Sequence, residues 1–301
     1  MKHTLKITII LVLLFFLSQV VGLAITNQYI DHEKTAETGV TSWEDIHFEI
    51  PFIWKSEIER PKVEESTSFI LIITAVLIGT GLLLLLIKFN RINIWKFWFF
   101  ISVVVCLTIA LNPFIGEQIA FLISFILAFI KVFRPNIFIH NITEVFIYGG
   151  MAAIFVPIMN LYAVFMLLLL ISVYDMYAVW KSKHMVTLAK FQTSSRVFAG
   201  LSIPYEMPKK EDKKKAGMVM KIKKVKMAIL GGGDIAFPLI FAGVVMKNFG
   251  FLNSLIIPIF VSAALLILLT KSKKDKFYPA MPFLSLGCLA GYGFILLLGF
   301  I

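Results

Sequence analysis

Two aspartates stand where acids are rare. Asp234 closes Gly231-Gly232-Gly233-Asp234 inside the apolar run from Met227 to Met246. Asp175 lies in Ser172-Val173-Tyr174-Asp175-Met176-Tyr177, near the end of the preceding apolar run. A carboxylate held in hydrocarbon costs on the order of 2.5–3.5 kcal/mol at mid-span, so such residues face a cavity and have a partner. Asp175 precedes Lys181 and Asp234 follows Lys226 by short intervals; at 1.5 Å per helical residue both fall roughly 9–12 Å from the basic boundary, a matched depth at which they can meet. Close together in a low-dielectric cavity, two carboxylates cannot both ionise, and they share a proton. One then acts as a base toward water and the other as an acid, which suffices to hydrolyse an amide without metal or cofactor.

The elements that must position them are membrane spans. Hydrophobic residues make up 59% of the 301 and charged ones only 16%, too apolar for an ordinary soluble domain. Nine stretches approach the length a spanning helix needs: 5–26, 67–87, 94–112, 116–133, 142–158, 160–180, 227–246, 250–270 and 281–301. The expectation is an all-α polytopic membrane protein of nine transmembrane helices. The net charge of +11 is a topology signal, not a nucleic-acid footprint. With the N-terminus inside, all Lys and Arg but Lys34, Lys55, Arg60, Lys62 and Lys247 lie inside. The positive-inside rule thus fits a cytoplasmic N-terminus and an outside C-terminus, whereas eight spans would set the basic loop 181–226 and Lys2/Lys6 on opposite sides. The first span resembles a secretory signal in its basic start and its Gly22-Leu23-Ala24, but its apolar core is too long, and it reads as a retained helix. The chain divides into an N-terminal six-helix part, 1–180, a basic cytoplasmic loop, 181–226, and a C-terminal three-helix part, 227–301.

Around the aspartates, Gly231 to Gly233 remove side-chain bulk so that a second backbone can approach, and Pro238 cannot donate to the Asp234 carbonyl. Pro279-Ala280-Met281-Pro282 opens the last span from the same inner face and leaves carbonyls free. Each has a plainer reading: glycine runs serve helix packing in membranes, and Pro282 suits the first turn of a helix. Glu144, at the start of span five near Arg134 and His140, reads as a surface ion pair or a helix N-terminal charge. No histidine pair has helical metal spacing, and Cys106 and Cys288 are isolated, so no metal site is expected. No Gly-x-Ser-x-Gly or mid-span histidine supports a serine nucleophile.

The outside segment 27–66 reads as a solvated connection with an interfacial helix, Thr41-x-x-Glu44 being a candidate capping box, or else as a lid. Loop 181–226 is mostly linker, its lysines drawn to anionic lipid head groups. Within it Met218–Val225 alternates at period two and reads either as a strand that holds substrate or as a frayed lead-in to the helix.

Together, Tyr174-Asp175, Gly231-x-Gly233-Asp234 and Pro279-Ala280-Met281 resemble the YD, GxGD and PAL motifs of presenilin-type intramembrane aspartyl proteases, of the archaeal and microbial kind. Met281 stands where that motif has Leu, a change between unbranched and branched side chains of similar size. The nine-span plan and the large inside loop extend the resemblance over nearly the whole chain. It implies a presenilin-like fold, Asp175 and Asp234 as the catalytic pair, and a site shaped by Tyr174, Gly231, Gly233, Pro279, Ala280 and Met281. It also implies transmembrane-helix substrates met in the bilayer, with no cofactor and no demand for partner subunits, in a multi-pass protein of a prokaryotic plasma membrane. The competing readings are a transporter or channel passing protons or cations by the same aspartates, which lacks an apparent inverted repeat, and a prepilin-peptidase-like GxGD enzyme, which would have fewer spans and no Pro-Ala-x-Pro segment.

Overall fold

The computed structural model of the protein describes residues 5–50, 54–58, 60–89, 91–134, 136–182, 188, 191, 197–205, 227–272 and 278–299. Its long apolar runs are helical, as hydrocarbon requires of backbone that has no water to bond. In chain order the helices are α1 (Leu5–Asn27), the short α2 (His32–Thr38), α3 (Ser68–Lys88), α4 (Ile92–Ile115), α5 (Glu117–Phe133), α6 (Ile137–Phe155), α7 (Leu161–Met176), α8 (Gly232–Phe249), the one-turn α9 (Phe251–Ser254), α10 (Ile256–Lys271) and α11 (Met281–Gly299). Among the described residues, seven helices are long and apolar enough to cross a membrane: α1, α3, α4, α6, α7, α10 and α11, three of them extended by an adjoining turn. The other two apolar stretches hold α5, which has 17 residues, and α8, whose first turn is glycine and Asp234.

Span five and span six are separate helices. After α6 a 3-10 turn at Val156–Ile158 ends at Met159, and the Asn160 side chain accepts from the Ala163 N–H at 2.8 Å, capping α7.

The core is built where helices meet each other and not lipid. Leu11, Phe15 and Leu23 of α1, Leu167 of α7, Leu239 and Phe241 of α8, Leu265 of α10 and Leu284 of α11 are fully buried in one cluster. The signal-like first stretch, as α1, packs its buried side chains into this cluster. Because lipid tails are as apolar as leucine, close backbone approach and polar cross-links hold such a bundle together. At Gly150 of α6 a Cβ would fall 1.9 Å from the Cys106 carbonyl oxygen of α4, so only glycine permits that crossing. Gln19 of α1 donates to the Ile235 carbonyl of α8 at 2.8 Å. By contrast Ile70, Leu77, Ile78 and Leu85 of α3 are exposed, as a lipid-facing helix requires.

The chain is mostly helical but not all-α, which corrects the expectation. Three two-stranded antiparallel sheets are present: β1 (Ile30–Asp31) with β2 (Ser42–Trp43), β3 (Ile46–Ile50) with β4 (Trp54–Ile58), and β5 (Gly200–Pro204) with β6 (Met227–Gly231). The first two lie in segment 27–66. Thr41-x-x-Glu44 is no capping box: Ser42 and Trp43 are paired in a strand, the Thr41 hydroxyl donates to the Lys247 carbonyl at 2.9 Å, and the helix of this segment is α2, capped by Asp31.

Candidate active site

Asp175 occupies the last turn of α7, just before a π turn at Tyr177–Lys181 of the kind often found at functional sites. It is only 7% exposed, so its oxygens need protein partners. The Met281 N–H supplies one, donating to Oδ2 at 3.0 Å, with the Ala280 backbone close by. These belong to the start of α11, whose first amides have no acceptor within their own helix. Pro279-Ala280-Met281 thus reaches Asp175 through its backbone. Leucine or methionine at position 281 serves that contact equally. Nearby, the Ser172 and Ser285 hydroxyls bond at 2.9 Å and fix α7 against α11.

Asp234 is the third residue of α8, whose N-cap is the extended Gly231. Its carboxylate lies close to the Gly231 backbone, and an acid in the first turn suits the start of a helix. It is half-buried and within electrostatic range of Asp175. The two predicted acids thus stand at the end of one helix and the start of another, close enough to interact electrostatically.

The approach to Asp234 differs from the expected unbroken helix. Met227–Gly231 is the strand β6, and five extended residues at about 3.3 Å each carry the chain farther than helical rise would, which revises the depth reading for Asp234. The expected strand Met218–Val225 lies outside the described residues. The glycines also differ in role. A Cβ on Gly233 would only touch the Phe237 ring at 3.4 Å, and one on Gly231 would come 3.3 Å from Asp234 Oδ2. On Gly232, the unspecified position of the motif, it would stand 2.7 Å from the Tyr148 hydroxyl. The tightest constraint of the three thus falls on the position that the motif leaves open.

Tyr174 also packs toward α3. Its hydroxyl donates to Thr80 of α3 at 3.3 Å, and its ring joins Ile73, Val76, Leu77, Ile171 and Tyr177 in lining an apolar groove between α3 and α7.

Residues 53–300 match the family described as signal-peptide peptidase, presenilin aspartyl protease. The chain belongs to that family. It is accordingly an aspartic endopeptidase of the intramembrane-cleaving kind. Its fold is also similar to a presenilin family intramembrane aspartate protease solved in two crystal forms. The C222 form aligns with a TM-score of 0.58 at 16% identity over 94% of each chain, and the P2 form with 0.59 at 18% identity over 96% of each. A search of curated proteins returned no match.

Sequence reasoning missed one part of this protease's site. Glu144 is not at the surface: it is 1% exposed and paired with Lys131 of α5, Oε1 to Nζ at 2.6 Å, with both side chains buried. Its Oε2 accepts from the Tyr148 hydroxyl and, at 2.9 Å, from the Gly200 N–H of β5. His140 Nε2 lies 2.8 Å from the Gly200 carbonyl, which can only accept, so that nitrogen carries the proton. Asn141 bonds both backbone groups of Ser202, at 2.8 and 3.0 Å. The signal that could have found this cluster is the one that found the aspartates: opposite charges, Lys131 and Glu144, in neighbouring apolar stretches.

Proposed function

We propose that this protein hydrolyses peptide bonds within the transmembrane segments of other membrane proteins, with Asp175 and Asp234 as the catalytic pair. What supports the reading is that these two carboxylates, from the end of α7 and the start of α8, lie within electrostatic range of each other, with Asp175 oriented by the Met281 amide. One carboxylate removes a proton from water as it attacks the scissile carbonyl, while the protonated partner donates to the carbonyl oxygen. Collapse of the tetrahedral intermediate expels the amine, which takes up a proton, and the shared proton is restored.

A helix shields its own peptide bonds, so the substrate must unwind, and its freed N–H and C=O groups then need partners. The sheet beside Asp234 supports a place for them. The outer edge of β5 is sealed by α6: Glu144 and His140 hold Gly200, and Asn141 holds Ser202. Since Ser202 bonds outward, its cross-strand neighbour Ile229 also directs its backbone groups away from β5. Among the described residues no strand pairs with that far edge of β6. A substrate strand added there runs directly toward Asp234.

The charge pattern supports nine spans with the N-terminus cytoplasmic and the C-terminus outside, and the resemblance to archaeal and microbial presenilins supports the plasma membrane of a prokaryote. The division into 1–180, 181–226 and 227–301 then gives each catalytic helix to a separate part. Nothing in this reading demands a partner subunit, a cofactor or a nucleic acid. The test is incubation of the purified protein with a single-span peptide, followed by mass spectrometry. Cuts within the span are expected; a peptide left intact, or cut only outside its span, overturns the reading.

A further inference from the structure

Glu144 makes more contacts than an ion pair needs. Its Oε1 answers Lys131, which itself also bonds Thr143 Oγ1 at 3.0 Å and the His140 carbonyl at 3.3 Å. Linking α5 to α6 would require no more. The second oxygen, Oε2, is turned the other way, to the Tyr148 hydroxyl and the Gly200 N–H. Both of those groups abut the segment that leads into Asp234. The Tyr148 hydroxyl stands where a side chain on Gly232 would begin. Gly200 pairs with Gly231 across the sheet at φ +132°, where a Cβ would meet the Leu230 carbonyl oxygen at 2.1 Å. Between them, the Gly232 N–H donates to the Ala199 carbonyl at 3.1 Å.

We infer that Glu144, acting through Tyr148 and Gly200, is a positioning residue that fixes the start of the Asp234 helix; the inference rests on the protease reading above. The residue held most tightly, Gly232, precedes Asp234 by two positions and forms the first turn of α8. A shift of that turn moves the Asp234 carboxylate relative to Asp175. Burying a charged pair is expensive and by itself weak evidence of stabilisation. A pair whose free oxygen is spent on the approach to the site is instead explained by the geometry it enforces. Displacement of a reacting group by about 1 Å can cost on the order of a hundredfold in rate.

The test uses Tyr148→Phe, which removes the hydroxyl and keeps the ion pair, together with Gly232→Ala and the double variant, in the full-length protein. Glu144→Gln leaves a buried lysine without its counter-charge and is a poorer probe. For Tyr148→Phe, kcat on a single-span peptide should fall by about ten- to a hundredfold with KM unchanged. Gly232→Ala should lower both kcat and the melting temperature. The double variant should recover both relative to Gly232→Ala alone, because loss of the hydroxyl makes room for the methyl group. Wild-type kcat in Tyr148→Phe, or purely additive effects in the double variant, overturns the inference. A wild-type protein that cuts no peptide sinks the protease reading, and the catalytic meaning of the clamp falls with it. Rescue of the melting temperature alone, with kcat indifferent to Tyr148, leaves packing and rejects positioning.

Discussion

The Met281 N–H donates to Asp175 Oδ2 at 3.0 Å, so the first turn of α11 and one carboxylate of the proposed pair move as a unit. This ties a backbone amide, not the Met281 side chain, to the site. Met281→Leu should therefore keep turnover within about twofold, a volume-conserving exchange that costs under about 1.5 kcal/mol even when buried. Met281→Pro removes the donor together with a buried side chain, at a helix position where proline is tolerated. It should leave the protein folded and lower kcat by at least about tenfold, since charge-assisted hydrogen bonds of this kind are worth roughly 1.5–3 kcal/mol. Paired melting curves and peptide-cleavage rates check both; full activity in a folded Met281→Pro variant removes the amide from the account.

Gly233 is exposed at the start of α8, and a methyl group there makes only ordinary contact with Phe237. Gly233→Ala should hold or raise stability, by up to about 1 kcal/mol from reduced unfolded-state freedom. Its turnover should nevertheless fall, because the space above Asp234 is needed by the substrate backbone. A stable Gly233→Ala variant with wild-type kcat/KM would show that the glycine serves no approach.

How far the chain could be read before folding depends on contrast. Asp175 and Asp234 were legible because an acid in an apolar run stands out, and the prolines at 279 and 282 because they interrupt a helix. Glu144 carries the same signal but sits near the end of its stretch, beside Arg134 and His140, where a surface charge is the commoner explanation. The strand β6 was hidden for a different reason: Met-Ala-Ile-Leu-Gly is apolar on both faces and continuous with the helix that follows, so periodicity alone could not separate them. The pairing that settles it comes from Gly200–Pro204, across a loop that local pattern cannot bridge. The β1–β2 sheet was missed because its strands are two residues each, below the length at which alternation can be seen.

Gln19 offers a prediction in which two effects nearly cancel. Its amide donates to the Ile235 carbonyl, one residue beyond Asp234, while its own Oε1 is buried without a partner. An interhelical hydrogen bond in a membrane is worth about 0.6 kcal/mol on average, and an unpaired buried acceptor costs about 1–3 kcal/mol. Gln19→Leu should therefore leave thermal stability unchanged or raised. A large drop in melting temperature would mean that the oxygen is satisfied in the membrane and that the residue is a true cross-link of α1 to α8.

Topology can be tested without activity. A reporter fused after Ile301 should lie outside and a tag inserted in the 206–216 lysine region inside, as the distribution of Lys and Arg requires. Both on one side of the membrane would refute the nine-span reading.

The central claim is that Asp175 and Asp234 divide one acid and one base between them. The most direct measurement is cleavage of a single-span peptide by purified Asp175→Asn and Asp234→Asn, each first shown to melt as the wild type does. Neutralising either member removes general acid–base catalysis worth about 10²–10⁴-fold, so each single variant should lose at least that factor in kcat while remaining folded. Cleavage by either variant at the wild-type rate would contradict the account.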